Sequence, residues 1–210
     1  MEEILRLLTI FALCATMGWI IEFVYRSINR KKLVNPGFLT GMALPIYGLG
    51  GIIMYLFSYL FIDMPILLKL LFLFVSSSIF MTLLELIGGI IFLKYYKVKL
   101  WDYSKLKFNY KGVICLQFSL IWGVLATIYI MFLQGYIVDI GNYVIHNEYS
   151  MAALIIYYFI FISDLLISLR VLNRLKKMAN ELKVIVIMRT VLEDTIKFID
   201  KKGSLKKLWL

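Results

Sequence analysis

Residues 66–93 read ILLKLLFLFVSSSIFMTLLELIGGIIFL, a run in which only Lys69 and Glu85 carry a charge. A helix needs about 20 consecutive apolar residues to cross the hydrocarbon core of a bilayer. The run exceeds that length, so a helix made from it can span a membrane with some tilt. It predicts an integral membrane protein rather than a soluble domain.

The composition of the whole chain agrees with this prediction. Of the 210 residues, 62% are hydrophobic and only 17% are charged, whereas soluble domains are about half apolar and about a quarter charged. We therefore expect an all-α membrane protein, with a five-span domain over residues 1–170 and a basic amphipathic cytoplasmic tail over 171–210. The five predicted transmembrane helices cover about 4–25, 46–62, 66–93, 113–133 and 151–169.

The distribution of lysine and arginine predicts the orientation. Four basic residues lie between the first two predicted spans, six lie between the third and fourth, and eleven follow from Arg170 onward, which leaves only Arg6 and Lys69 for the opposite side. Because cytoplasmic loops carry an excess of basic residues, we expect the N-terminus outside and the C-terminus in the cytoplasm. The outer gap at 134–150 is expected to be a loop that exposes His146.

The formal charge of +10 is explained by this topology, so no nucleic-acid partner is predicted. The tail has apolar residues at helical spacing among many basic ones, which favours binding to anionic lipids of the inner leaflet, with Trp209 as an interfacial anchor. Pairing of the tail with a second copy in a homodimer is the alternative. Cys14 and Cys115 lie in apolar runs without nearby ligands, so no metal, disulfide or cofactor is expected.

Three acidic residues fall inside the predicted spans, namely Glu22, Glu85 and Asp164. A carboxylate within a membrane is costly unless it faces protein, water or a partner, so each is a candidate for function. All three lie at similar depth near the cytoplasmic side, which predicts a shared polar cavity open to the cytoplasm. For Glu22 the alternative is an ion pair with Arg26 one helical turn away. Glu85 has no basic residue within a turn and precedes Gly88 and Gly89, which allow a neighbouring helix or a ligand to approach closely.

Aromatic and polar residues near the same depth complete the predicted substrate-binding set. Its members are Trp19, Glu22, Tyr47, Glu85, Gln117, Ser119, Trp122 and Asp164.

Two cytoplasmic loops, 28–45 and 94–112, are longer than the other connections. The first leads into NPGFLTGMALPIYGLG, residues 35–50, whose glycines and prolines predict a specific backbone rather than a flexible tether. In the second, Trp101, Tyr103 and Phe108 fit an aromatic belt at the membrane interface or the wall of a site. The sequence contains no GxxxxGK[ST] motif, so a nucleotide site in this chain is not predicted.

Several multi-residue strings resemble those of a family of bacterial membrane proteins described as "Putative ABC-transporter type IV" (CmpB-like). The resemblance covers most of residues 10–170 and excludes the tail. It implies a transport-related multi-pass protein of the bacterial plasma membrane, but it supplies no substrate or catalytic residues. The strings that carry it are Gly18-Trp19 with Glu22, Asn35 with Gly37-Phe38-Leu39, Gly41, Leu44-Pro45-Ile46-Tyr47-Gly48 with Gly50, Trp101-Asp102-Tyr103-Ser104, Phe108-Asn109, Gly112 with Ile114-Cys115-Leu116, and Ser119 with Trp122-Gly123.

Three functions remain open from the sequence. The first is a permease-like protein that binds a small polar or cationic solute in a cytoplasm-facing intramembrane cavity. Because five spans are few for a complete path, it would work as a homodimer or with a separate ATPase or transport subunit. The second is an intramembrane enzyme with a buried carboxylate as acid or base, which the lack of a nucleophile with an adjacent base and of an HExxH motif disfavours. The third is a membrane sensor or assembly protein with the basic tail as its output.

Overall fold

The computed structural model describes the backbone of residues 1–207 and the side chains of residues 1–183 and 188. In this part of the chain the α-helices are α1 (Glu2–Arg30), α2 (Pro45–Leu60), α3 (Ile66–Ile91), α4 (Leu116–Ile128), α5 (Gln134–His146) and α6 (Glu148–Lys207). The π-helical segment Phe92–Tyr96 extends α3, and a second one, Tyr129–Leu133, joins α4 to α5. A short antiparallel hairpin pairs β1 (Asn109–Tyr110) with β2 (Ile114–Cys115). The predicted all-α class is confirmed.

Among the described residues, four helices are long and apolar enough to cross a membrane: Glu2–Arg30, Ile66–Tyr96, Leu116–His146 and Glu148–Lys183. The predicted second span appears as α2, an apolar helix of 16 residues, which is shorter than the roughly 20 residues a straight span requires. The structure thus supports a multi-pass membrane protein with four helices of spanning length and one shorter apolar helix.

The prediction of an outer loop at 134–150 was wrong, because residues 134–146 form the helix α5. Polar side chains of this helix find partners on other helices: Gln134 donates a hydrogen bond to Ser58 of α2, and Asn142 accepts two from Arg6 of α1, at 3.1 and 3.2 Å. His146 lies in the last turn of α5, where its Nδ1 atom is 2.8 Å from the Asn142 carbonyl oxygen. These contacts favour a packed helix over a solvated loop.

Small residues bring neighbouring helices into close contact. The α-carbon of Gly51 in α2 faces Cys14 of α1, and that of Gly18 in α1 faces the ring of Tyr47, so an added methyl group at either position would clash. An added methyl group at Gly123 of α4 would likewise clash with side chains of α3. In a membrane such close packing is a main source of helix association, because lipid offers no hydrophobic drive. The glycines therefore set the spacing of the helices that carry the site.

The chain divides into two compact units, Met1–Ser168 and Leu169–Leu210. In the second unit, Leu175 and Leu182 are exposed, and Lys177 forms an i,i+4 ion pair with Glu181 at 4.0 Å. Trp209 lies outside the described residues. Binding of the tail to anionic lipid stays a prediction.

Candidate functional site

Glu85 is the buried carboxylate of α3. The residue is 3% exposed, and its Oε1 atom accepts a hydrogen bond of 3.0 Å from the hydroxyl of Tyr103. Tyr103 belongs to the connection between α3 and α4, and its ring stacks on Phe118 of α4 with 4.5 Å between ring centroids. A loop side chain thus enters the space between two helices and meets the carboxylate. Burial and the nearby Glu85 carboxylate raise the pKa of Tyr103, so its hydroxyl stays a donor.

The second oxygen of Glu85 is differently placed. Within the described part of the chain, Glu85 Oε2 has no hydrogen-bond partner, although it is fully buried. The indole of Trp122, a residue 7% exposed, faces this carboxylate from α4, and its Nε1 atom also lacks a hydrogen bond among the described residues. Buried polar atoms without partners are uncommon in folded proteins and mark places where a further group can bind. Glu85 Oε2 is therefore the candidate acceptor of this site.

Glu22 lies on α1 and is joined to the same group of residues. Its Oε2 atom accepts a hydrogen bond of 2.8 Å from Arg26 Nε, and its Oε1 atom accepts one of 3.3 Å from the Tyr47 hydroxyl. The ring of Tyr47 packs edge-on against Trp122 at 5.1 Å. The ion pair with Arg26, one of the two alternatives for Glu22, is present. The contacts run from Glu22 through Tyr47 and Trp122 to Glu85, and we call Glu22, Tyr47, Glu85, Tyr103 and Trp122 the carboxylate–aromatic cluster.

Asp164 of α6 has a different environment. Its carboxylate accepts hydrogen bonds from the backbone amides of Thr40 at 3.1 Å and Gly41 at 2.8 Å, and from the hydroxyl of Ser168 at 3.1 Å. In the described structure none of its hydrogen bonds reaches Glu22 or Glu85. Asp164 therefore fixes the loop between α1 and α2, a role that its place in the predicted cavity did not suggest.

Trp19 also contacts that loop. Its indole Nε1 donates to the side-chain oxygen of Asn35 at 3.0 Å, and the same oxygen accepts the amide of Gly37 at 3.2 Å. The Asn35 amide group in turn donates to the carbonyls of Leu39 and Thr40, at 2.8 and 3.3 Å. This side chain mimics a backbone turn, which is the usual role of asparagine before proline and glycine. The specific backbone predicted for residues 35–50 thus rests on Asn35 in its first part.

The remaining two predicted site residues, Ser119 and Gln117, form no hydrogen bond with the carboxylate–aromatic cluster in the described structure. Ser119 donates to the carbonyl oxygen of Cys115 at 3.1 Å, a bond within its own helical turn. Gln117 is exposed at the start of α4.

The loop between α3 and α4 is held in shape by its own hydrogen bonds. The Trp101 indole donates to the Val113 carbonyl at 2.6 Å, and the amide of Tyr103 donates to the Gly112 carbonyl at 2.8 Å. Gly112 has a φ of 70°, a left-handed conformation that favours glycine. Asp102 accepts hydrogen bonds from Ser104, which together with Lys99 lower the pKa of its carboxyl to about 2. These bonds position Tyr103 for its contact with Glu85.

Sequence reasoning assigned no role in the site to Asn35 or to the amides of Thr40 and Gly41, and it left Tyr103 open between belt and site wall. The asparagine could have been found from the Asn-Pro-Gly turn signal. The pairing of Tyr103 with Glu85 has no local signal, because the two residues meet only after the loop folds back on the helices.

Of the comparisons with known proteins, only the one with sequence models of families gives a match. No curated protein and no solved structure shows a significant match to the chain. The sequence model of the family described as "Putative ABC-transporter type IV" matches residues 9–169, a range that contains every residue of the carboxylate–aromatic cluster. The chain belongs to this Putative ABC-transporter type IV family.

Proposed function

We propose that this protein is a permease-like membrane subunit of the bacterial plasma membrane, which binds a small cationic solute at the carboxylate–aromatic cluster. The cluster is open to the cytoplasmic side in this proposal. The observation that carries it is the Oε2 atom of Glu85, a buried acceptor that has no hydrogen bond among the described residues and lies inside a helix of spanning length. Ionisable groups at such a position commonly mark a substrate or ion pathway.

The composition of the cluster favours a cation over an anion or a neutral solute. Two carboxylates attract positive charge, and among the described side chains only one of them, Glu22, has a basic partner, which is Arg26. Aromatic faces bind ammonium groups by cation–π attraction, which gains strength where water is excluded. The rings of Tyr47, Tyr103 and Trp122 all lie beside the two carboxylates. An organic ammonium ion matches both features.

Transport driven by ATP would need a second protein. The chain has no nucleotide-binding motif of the GxxxxGK[ST] type, and its family is described by an ABC-transporter name. We therefore infer a separate ATPase subunit. Expression of the protein together with ATPases encoded beside it, followed by purification in mild detergent, tests this. A complex whose ATP hydrolysis depends on both proteins is expected, and purification of the membrane protein alone in every case would contradict the inference.

Ligand binding can be tested with tetramethylammonium as the probe. A ligand at 100 times its dissociation constant stabilises a protein by about 2.7 kcal/mol, so the melting temperature should rise by about 5–11 °C over that in sodium chloride at equal ionic strength. Glu85→Gln should abolish the rise, because an amide keeps the shape of the side chain and loses its charge. Glu181→Gln is the matched control, since Glu181 is exposed in the tail. An equal rise in Glu85→Gln and in the unchanged protein would overturn the proposal.

The proposed orientation has its own test. Single cysteines at Lys105 and Tyr149, both exposed, should react with a membrane-impermeant maleimide from opposite sides of oriented vesicles. Reaction of both from the same side would contradict the proposed topology, which places Lys105 and Tyr149 on opposite sides of the membrane.

A further inference from the structure

A second surface lies at the tip of the loop between α3 and α4, where residues 105–111 read KLKFNYK. We call these residues the lysine tip. Lys105, Lys107 and Lys111 are exposed, and Phe108 is 81% exposed. The tip contains no acidic residue, and the nearby Asp102 is paired with Lys99 at 3.1 Å. The tip therefore presents positive charge around a bare aromatic ring.

The backbone holds this ring outward at a conformational cost. Phe108 has a φ of 53°, which bulky residues rarely adopt. The conformation is fixed by a hydrogen bond from the Leu116 amide to the Phe108 carbonyl at 3.3 Å and by one from the Asn109 side chain to the Leu106 carbonyl at 2.6 Å. Strain of this kind persists where the surrounding structure enforces it, commonly at functional positions. Exposure of Phe108 is thus built into the loop.

The position of the tip points to the membrane surface. The backbone carbonyl of Phe108 accepts a hydrogen bond from the amide of Leu116, the first residue of α4. The side chains of Leu116 and Leu120 are both exposed. On a helix of spanning length such exposed leucines face lipid. The Lys111 ammonium lies 5.2 Å from the centre of the Tyr110 ring. At the end of the preceding helix, the Lys94 ammonium lies 5.7 Å from the centre of the Tyr95 ring. Lysine and tyrosine side chains, which join an apolar body to a polar end, are typical of the interface.

We propose that the lysine tip is a lipid-binding element that inserts Phe108 into the headgroup region and holds anionic phospholipid headgroups with Lys105, Lys107 and Lys111. A bilayer surface explains the features together. The three charges match anionic headgroups, and the apolar ring beside lipid-facing Leu116 matches the acyl boundary. This surface is separate from the carboxylate–aromatic cluster, so the proposal does not depend on transport.

Site-directed spin labelling of the full-length protein tests the depth of the tip. Cys14 and Cys115 are replaced by alanine, and a nitroxide is attached at Phe108→Cys or, as the matched control, at Lys107→Cys. The protein is reconstituted in vesicles of phosphatidylcholine with or without phosphatidylglycerol. In the anionic vesicles, position 108 should be more accessible to oxygen and less accessible to a water-soluble nickel chelate than position 107. Equal access of the chelate to both positions would overturn the proposal and favour a soluble protein partner.

The lysines are tested in the same vesicles. Each basic residue near an anionic surface contributes about a fivefold factor in affinity. Replacing Lys105, Lys107 and Lys111 together by glutamine should therefore reduce the equilibrium constant for insertion of the label at 108 by about 100-fold. The unchanged tip should insert less deeply in vesicles of phosphatidylcholine alone. If the depth depends neither on these lysines nor on phosphatidylglycerol, anionic headgroups are not the partner. Melting curves of the variants serve as the folding control.

Discussion

Asp164 and Glu85 are both carboxylates on helices of membrane-spanning length, and both contact a loop, but their oxygens accept different numbers of hydrogen bonds. Asp164 accepts three hydrogen bonds, two of them from loop amides, through both of its oxygens. Glu85 accepts one from Tyr103 and keeps a buried oxygen without a bond in the described residues. A carboxylate whose acceptors are occupied stabilises the fold, whereas one with a free acceptor can bind something else. This difference is the basis for proposing Glu85, rather than Asp164, as the ligand-binding carboxylate.

The largest expected effect on stability is that of Asp164→Ala. Hydrogen bonds to a charged group contribute about 1.5–3 kcal/mol each, but water can reach the Thr40 amide, so we expect a total loss of about 3 kcal/mol in the free energy of unfolding. Thermal unfolding in detergent measures it. Ser168→Ala removes one of the three bonds and should lose less than half as much. A fall of equal size in the two variants would contradict the loop-fixing role of Asp164.

Tyr103→Phe should have the next largest effect. The change keeps the ring stacked on Phe118 but leaves Glu85 Oε1 buried without its donor, which costs about 2 kcal/mol. Tyr110→Phe in the same loop is the control, because Tyr110 is exposed, and its melting temperature should stay that of the unchanged protein. If Tyr103→Phe melts like the control, the hydroxyl does not support the site.

Glu22→Gln should cost about 1 kcal/mol, because Arg26 then loses its partner while both residues remain partly exposed. The exposed fractions of the side chains are 29% for Arg26 and 27% for Glu22, so solvent screens part of the effect. A double-mutant cycle with Arg26→Gln isolates the pairwise energy from other losses. A coupling energy near zero would show that the pair does not stabilise the fold.

Asp102→Asn should have the smallest effect, and the effect should depend on pH. The pKa of Asp102 is lowered to about 2 in the folded protein, below the value of about 3.9 for an unperturbed aspartate. Its stabilisation is therefore fully present well above pH 4 and is lost as the pH falls from about 4 to 2. Melting temperatures of the unchanged protein and of Asp102→Asn should differ at pH 7 and converge toward pH 2. A difference that is constant with pH would contradict the low pKa.

Much of the fold could be predicted from the sequence because long apolar runs determine it. The run at 66–93 contains α3, Ile66–Ile91, and the run at 4–25 lies within α1. Residues 134–150 were misassigned because Gln134 and Asn142 look like loop residues by composition. Their partners, Ser58 and Arg6, are distant in sequence, so local propensity gives no sign of them.

The site could be predicted only in its acidic members and in some of its rings. A carboxylate in an apolar run is visible in the sequence, so Glu22, Glu85 and Asp164 could all be named as candidates, but Asp164 lies outside the carboxylate–aromatic cluster. Loop residues decide how many hydrogen bonds each carboxylate accepts. Tyr103 donates to Glu85, whereas the amides of Thr40 and Gly41 donate to Asp164. Those contacts arise from how the loops return to the helices, which no periodicity encodes.

The distinction between Glu85 and Asp164 is tested most directly by dicyclohexylcarbodiimide, an apolar reagent that modifies carboxyl groups within membranes. The unchanged protein in vesicles is treated with the reagent, with or without tetramethylammonium, and modified residues are identified by mass spectrometry of its peptides. We expect modification at Glu85 that tetramethylammonium reduces, and little at Asp164, whose oxygens are held by the amides of Thr40 and Gly41. Modification of Asp164 in preference to Glu85, or labelling of Glu85 that tetramethylammonium leaves unchanged, would contradict the assignment of Glu85 as the ligand-binding carboxylate.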